Sequence, residues 1–167
     1  FNTLAQELLA FAKGSSTLNL EELNFPDCIE DSLTSLHHNL EQQGMSLETD
    51  LQGEALIHID PSRFYRVYEN LANNAIEAMS SGGTLTITSK VLDEHLIMTV
   101  SDTGHGMEAE VLSKVFDEFF THKKHGGTGL GLAIVKSIVA DHSGEIAVES
   151  ILDQGTTFTI KLPILNP

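Results

Sequence analysis

Hydrophobic and polar positions change period several times along the chain, and each change marks an expected element. Leu4, Leu8 and Phe11 stand at helical spacing until Gly14, Ser15 and Ser16 end the pattern. Residues 1–13 therefore predict the tail of a helix from a preceding unit, with 1–16 outside a main domain that spans 17–167. The stretch 17–23, TLNLEEL, suits a short strand. From Pro26 to Gln43, the residues Ile29, Leu33, Leu36 and Leu40 form one apolar stripe, and Gly44 is the expected helix stop. Residues 45–51 and 55–60 alternate as two strands. Asp60-Pro61 then reads as a cap and a first-turn proline, opening a helix that runs to Met79, where SSGG breaks it. Residues 84–92 and 95–102 alternate cleanly and predict a hairpin turning at Asp93-Glu94. A short helix from Ala109 to Lys114, a longer one from Leu130 to Asp141, and strands at 145–151 and 156–162 complete the series. Helices interleaved with strand pairs predict an α+β fold, a two-layer sandwich with helices on one face of a mixed, largely antiparallel sheet.

Composition narrows the function. The 167 residues are 41% hydrophobic but only 6% aromatic, so one domain with a mainly aliphatic core is expected. Acidic side chains number 24 against 9 basic ones, a formal charge of −15 that repels nucleic acid and anionic membranes. Neither is an expected partner, and an anionic ligand would need positive charge gathered locally. Cys28 is the only cysteine, which excludes an internal disulfide or a cysteine zinc site and points to packing in a reducing, cytoplasmic setting. No apolar run approaches the roughly 20 residues that cross a bilayer. The chain opens on Phe1, which reads as a piece of something longer, whose parent can still be membrane-anchored.

Three segments are too polar or too rich in glycine for their positions. On the helix of residues 61–79, Arg66, Asn70, Asn74 and Glu77 line up on one face, apart from the apolar face of Phe64, Val67, Leu71, Ala75 and Met79. An interior helical Asn costs up to about 0.7 kcal/mol against Ala, and Asn70, Asn73 and Asn74 lie within five residues. Neutral amide oxygens suit a phosphate-bound Mg²⁺, which takes few protein ligands; a solvated helix face carrying amides explains the row equally well. In SDTGHGM, Asp102 ends a hydrophobic strand while Gly104 and Gly106 permit a tight turn. Asp102 there suits an exocyclic amine such as that of adenine, or simply a capped turn. In HGGTGLGLAIVK, glycines precede a helix, whose start suits phosphate. The spacing lacks the Lys of a Walker loop. A Rossmann turn is disfavoured because FDEFFTHKKH, not a buried strand, comes before it.

In this order, ENLANNAIEAM, DTGHGM, VFDEFF and GGTGLGLAIVK resemble the N-box, first glycine box, phenylalanine box and second glycine box of the catalytic and ATP-binding domain of sensor histidine kinases. That domain belongs to the Bergerat-fold ATPase superfamily, with gyrase and mismatch-repair ATPases. The resemblance runs from Leu18 to Pro163 and implies ATP and Mg²⁺ as cofactors. It implies that Asn74 binds Mg²⁺, that Asn70 holds the metal or the phosphates, and that Asp102 takes the adenine amine with Thr156 nearby. Gly104 and Gly106 would shape the adenine pocket, and Gly127, Gly129 and Gly131 the phosphate loop. Phe116 and Phe120 of the phenylalanine box, with Thr128, Leu130 and Leu132, would border the nucleotide. THKKHGG resembles the short ATP lid of nitrogen-regulation kinases, in which Lys123 matches a lysine near the phosphates, while His122 replaces a common Thr. Lys123, Lys124, His122, His125 and Arg66 would then supply the local positive charge that the overall −15 lacks.

Superfamily members that hydrolyse ATP usually carry Glu where this chain has Asn70, and Asn cannot serve as that base. Glu69, one residue earlier and about 100° round the helix, is a weaker candidate for the task. The resemblance therefore implies phosphoryl transfer to a protein histidine. None of the eight histidines has the acceptor's acidic and proline neighbours. His37 and His38 read as surface or packing residues, and His58, His95 and His142 stand at element ends without evident partners. The acceptor is expected on an upstream dimerisation and phosphotransfer helix pair in a homodimeric parent, with a response regulator receiver domain as the downstream partner. An anti-sigma-factor-type serine kinase and a non-enzymatic nucleotide-sensing module remain the alternatives.

Overall fold

The computed structural model describes residues 18–80, 82–121 and 128–165. The expected helix in 1–13, the domain break after residue 16, and His122, Lys123, Lys124, His125 and Gly127 of the expected lid lie outside them. The described elements are β1 (Glu21–Asn24), α1 (Phe25–Gln42), β2 (Met45–Leu51), β3 (Leu56–Ile59), α2 (Pro61–Ala78), β4 (Gly83–Leu92), β5 (His95–Asp102), α3 (Ala109–Leu112), α4 (Gly131–Asp141), β6 (Glu145–Ile151) and β7 (Gly155–Pro163).

Five strands form the main sheet in the order β2-β4-β5-β7-β6, parallel only between β2 and β4. Strict alternation builds its two faces. Leu85 and Ile87 of β4, Leu96, Met98 and Val100 of β5, and Phe158, Ile160 and Leu162 of β7 are buried, meeting Phe64, Val67, Leu71 and Ala75 of α2 and Val135, Ile138 and Val139 of α4 in one core. The opposite face carries hydroxyls that pair across strands, Thr88 with Thr99 at 2.7 Å and Ser101 with Thr157 at 2.8 Å. The β4–β5 turn needs positive φ at both central residues, and Asp93 and Glu94 adopt 47° and 59°.

The strand read at 55–60 does not join this sheet. β3 pairs antiparallel with β1 in a sheet of two strands. The chain leaves the edge strand β2 at Gly53, at φ +86°, where a Cβ would lie 2.7 Å from the Val91 nitrogen. Alternation shows that a segment is a strand but not which strand it joins.

Two histidines read as unpartnered have partners. The His95 ring lies 2.6 Å from the Asp93 carbonyl. His142 is buried at the end of α4, where its Nε2 accepts from the Asp60 N–H at 2.9 Å and its Nδ1 donates to the Ile138 carbonyl at 2.7 Å. That bond ties the end of α4 to the start of α2. Asp60 also caps α2, accepting from the Arg63 N–H at 3.1 Å and the Ser62 hydroxyl at 2.7 Å, and it takes the Asn19 N–H at 3.0 Å.

Burial pushes the Asp60 carboxyl up, but Ser62, the Asn19 and Arg63 N–H groups and the Arg63 guanidinium outweigh it and hold the carboxyl below its ordinary value. Its stabilisation is therefore present above the unfolded value and is lost as pH falls through the lower folded value. Asp60→Ala should lower stability at pH 7 by about 1–2 kcal/mol in urea unfolding, and the gap between variant and parent should narrow in acid.

Candidate functional site

Helix α2 places Asn70 and Asn74 one turn apart, both half-buried, on a face turned away from the core. The Asn70 amide is fixed by donation from its Nδ2 to the Arg66 carbonyl at 2.7 Å, which leaves its oxygen directed elsewhere. That oxygen meets the second glycine box: a Cβ on Gly131, the first residue of α4, would lie 2.6 Å from Asn70 Oδ1. Two segments far apart in the chain are thus in contact because one side lacks a side chain. No hydrogen bond engages the Asn74 amide among the described residues. No cluster of three or more His, Cys, Asp or Glu side chains able to hold a metal occurs among them either.

The first glycine box is clasped between the end of α2 and the β6–β7 turn. A Cβ on Gly104 would lie 2.6–2.7 Å from Ala78, and the His105 N–H bonds the Ala78 carbonyl at 3.1 Å. On the other side, a Cβ on Gly106, at φ +63°, would run into the Ile151 carbonyl, while the Asp153 N–H bonds the His105 carbonyl at 2.7 Å. Asp102, the last residue of β5, is buried and accepts the Gly104 N–H at 2.8 Å. It stands directly opposite Thr156 of β7, whose hydroxyl is 3.0 Å from that of Ser150. The Ser150 hydroxyl in turn accepts the Met107 N–H at 2.8 Å.

Burial raises the Asp102 carboxyl above its ordinary value; the N–H groups of Gly104 and Thr156 and the His105 imidazole pull it back without cancelling the rise. A carboxylate offers about four acceptor positions, so these bonds leave capacity for a ligand's N–H.

The remaining expected residues divide. Phe116 packs edge-on to Phe158 with ring centroids 6.4 Å apart and lies under Lys136 Nζ at 5.7 Å. Phe120 is half-buried, bonding the Asp117 carbonyl through its N–H. Gly129, at φ +70°, presses on the Phe119 and Phe120 backbone, so the phenylalanine box and second glycine box are also in contact. The Thr128 hydroxyl caps the Leu130 N–H at 3.4 Å. Leu130 is fully buried in the core and Leu132 packs partly against it. Glu69 lies apart from Asn70, lining a groove between α1 and α2, where its carboxylate accepts the Tyr65 hydroxyl. Ser150 and Gly155 join this arrangement without belonging to any of the four boxes. A Cβ on Gly155, at φ +120°, would enter the Asp102 carbonyl, and a glycine opening the strand that faces Asp102 was the available signal.

The pattern of the histidine kinase-, DNA gyrase B-, and HSP90-like ATPase family matches residues 59–166. The chain belongs to that ATPase family. Sensor histidine kinase ZraS of Salmonella typhi is 37% identical over 166 residues, 98% of this chain and 35% of that protein. Full-length ShkA bound to AMPPNP superposes with a TM-score of 0.87 over 99% of this chain and 36% of that one, at 24% identity, a likeness of fold. Histidine kinase ThkA in complex with the response regulator TrrA gives 0.80 at 27% identity, over 97% of this chain and 46% of that one. The chain thus spans about a third of the length of the curated relative it matches. The ATPase pattern covers the Asn70, Asp102 and Gly131 segments described above.

Because folding raises the Asp102 carboxyl, the parent should lose stability as pH rises through its folded value. Asp102→Asn keeps the acceptor for Gly104 without the charge. Its stability relative to the parent, read from urea midpoints, should increase as pH rises from acid to neutral; a decrease would contradict the assignment of burial as the dominant cause.

Proposed function

We propose that the chain is the ATP-binding catalytic domain of a two-component sensor histidine kinase. It binds Mg-ATP and transfers the γ-phosphoryl group to a histidine on a separate upstream helical unit. The observation that carries this reading is the contact of Asn70 with Gly131, which sets a fixed amide against the start of α4, on the helix that also carries Asn74. A helix start favours phosphate, and two neutral amides suit a phosphate-bound Mg²⁺ without repelling the nucleotide. Asn70 and Asn74 would hold the metal, which when bound neutralises part of the phosphate charge. Asp102, with Thr156 beside it, would take the adenine amine.

The chemistry favours transfer over hydrolysis. At Asn70 there is no carboxylate to deprotonate water, and the Glu69 carboxylate is held by Tyr65 in the α1–α2 groove. In the transfer, an imidazole nitrogen of the acceptor bonds to the γ-phosphorus as its bond to the bridging oxygen breaks, and ADP leaves. Gly104, Gly106, Gly129 and Gly131 shape the cradle, and Lys123 and Gly127 belong to the same assigned set. The acceptor unit, the homodimeric parent and a response regulator receiver are the partners assigned. No described helix is long and apolar enough to cross a membrane, and we place the domain in the cytoplasm.

The isolated chain should bind Mg-ATP in titration calorimetry yet form no phosphohistidine with labelled ATP. Adding the parent's upstream helical segment should yield acid-labile, base-stable phosphate; acid-stable phosphate on a partner would indicate a serine kinase, and absence of Mg-ATP binding a non-catalytic module. Asn74→Ala should weaken Mg-ATP binding at least tenfold, about 1.4 kcal/mol. Gly131→Ala should do the same with little change in stability, because the helix gains a better former while the new methyl displaces the Asn70 amide.

A further inference from the structure

Ser150 of β6, Thr156 of β7 and Asp102 of β5 lie in one row across the sheet, because Ser150 pairs with Thr156 and Thr156 with Asp102. The Ser150 hydroxyl has three neighbours: the Met107 N–H at 2.8 Å, the Gly155 carbonyl at 3.0 Å and the Thr156 hydroxyl at 3.0 Å. A serine hydroxyl has one proton to donate and two lone pairs with which to accept. The Met107 N–H can only donate and the Gly155 carbonyl can only accept. The Ser150 proton therefore goes to Gly155, and one Ser150 lone pair takes Met107. Two oxygens 3.0 Å apart with no proton between them repel, so the remaining contact must take its proton from Thr156. The polarity of the Thr156 hydroxyl is thereby set: its proton points back at Ser150, and its lone pairs are left for other groups. Thr156 is buried and its N–H meets the Asp102 carboxyl. Beside that carboxylate stands a second acceptor, not a donor.

We propose that Ser150 is a positioning residue for base selection: by holding the Thr156 proton it makes the edge formed by Asp102 and Thr156 accept hydrogen bonds only, which favours a 6-amino purine nucleotide over its 6-oxo counterpart. The inference rests on the nucleotide reading above, in which Asp102 takes the adenine amine with Thr156 beside it. A 6-amino group has two N–H donors, one for the carboxylate and one for the Thr156 oxygen. A 6-oxo group sets lone pairs against lone pairs. Without the Ser150 hydroxyl, Thr156 is free to turn its proton outward and donate to a 6-oxo group, whereas the ionised Asp102 has no proton to redirect. Ser150 itself meets no ligand and acts through Thr156 alone. A site whose buried polar groups have fixed roles rejects the analogue that leaves them unpaired.

The test is titration calorimetry of the 167-residue chain with ADP and, separately, with inosine diphosphate, which carries a 6-oxo group in place of the amine. The parent should prefer ADP, and Ser150→Ala should reduce that preference by roughly fivefold or more. Ser150→Cys, whose thiol is a weak donor and acceptor of similar shape, should act as Ser150→Ala does. Ser150→Thr keeps the hydroxyl and should keep the parent's ratio. Thr156→Val should lower the ratio as well, and adding Ser150→Ala to it should change the ratio no further. A merely structural brace would weaken both nucleotides alike and leave the ratio unmoved. The proposal is overturned, with the nucleotide reading intact, if both nucleotides bind and the parent's ratio survives Ser150→Ala and Ser150→Cys, or if Ser150→Ala still shifts the ratio when Thr156 is Val. If neither nucleotide binds the parent, the nucleotide reading fails and this inference falls with it.

Discussion

Helix α2 lies so close to the loops at its side and end that two of them meet it without a Cβ, and this close approach fixes both ends of the proposed nucleotide cradle. Gly131 rests on the Asn70 amide and Gly104 on the Ala78 backbone, with gaps that would put a methyl carbon 2.6 Å from its neighbour. The N-terminus of the helix is pinned separately, by the Asp60 cap and by the bond from the Asp60 N–H to His142 at the end of α4. A helix held at its start, middle and end cannot slide without breaking one of these contacts. Residues on its polar face are therefore positioned by these contacts as well as by the core.

The same arrangement suits the phosphate proposed for an acidic domain. The surface as a whole is repulsive to phosphate, but the groups around Asn70, Asn74 and Gly131 are amides and backbone N–H donors, which carry no net charge. Three carboxylates near α2 are engaged elsewhere. Asp60 is engaged in capping, Glu69 is bound to Tyr65 in the groove beyond, and Asp102 sits buried at the end of β5, bonded to the Gly104 N–H.

Much of this was legible in the sequence. Amphipathic periods at 26–43 and 61–79, strict alternation in β4, β5 and β7, and the Asp60-Pro61 start each depend on local physics, and each element appears within a residue or two of its expected bounds. The asparagine row and the two glycine segments stood out because helical asparagines and clustered glycines are costly where nothing requires them, and the order of the four boxes carried the family resemblance. What could not be read were pairings between distant segments. β3 alternates as well as any strand yet joins β1, and nothing at 142 announces that a histidine meets residue 60. The contact of Gly131 with Asn70, the Ser150 brace under Met107 and the groove that takes Glu69 away from Asn70 all arise from tertiary packing. Glycine flags a close approach without naming the neighbour.

In the proposed complex, amides of α2 and the buried Asp102 face one Mg-nucleotide from its two ends. Amide NMR of the chain with ADP, before and after Mg²⁺ is added, tests it most directly. ADP alone should shift the Gly104, Gly106 and Thr156 signals, and Mg²⁺ should then move the side-chain amides of Asn70 and Asn74 together with Gly131. Shifts that leave Asn70, Asn74 and Gly131 unmoved on addition of Mg²⁺, or that appear in the α1–α2 groove instead, would contradict the account.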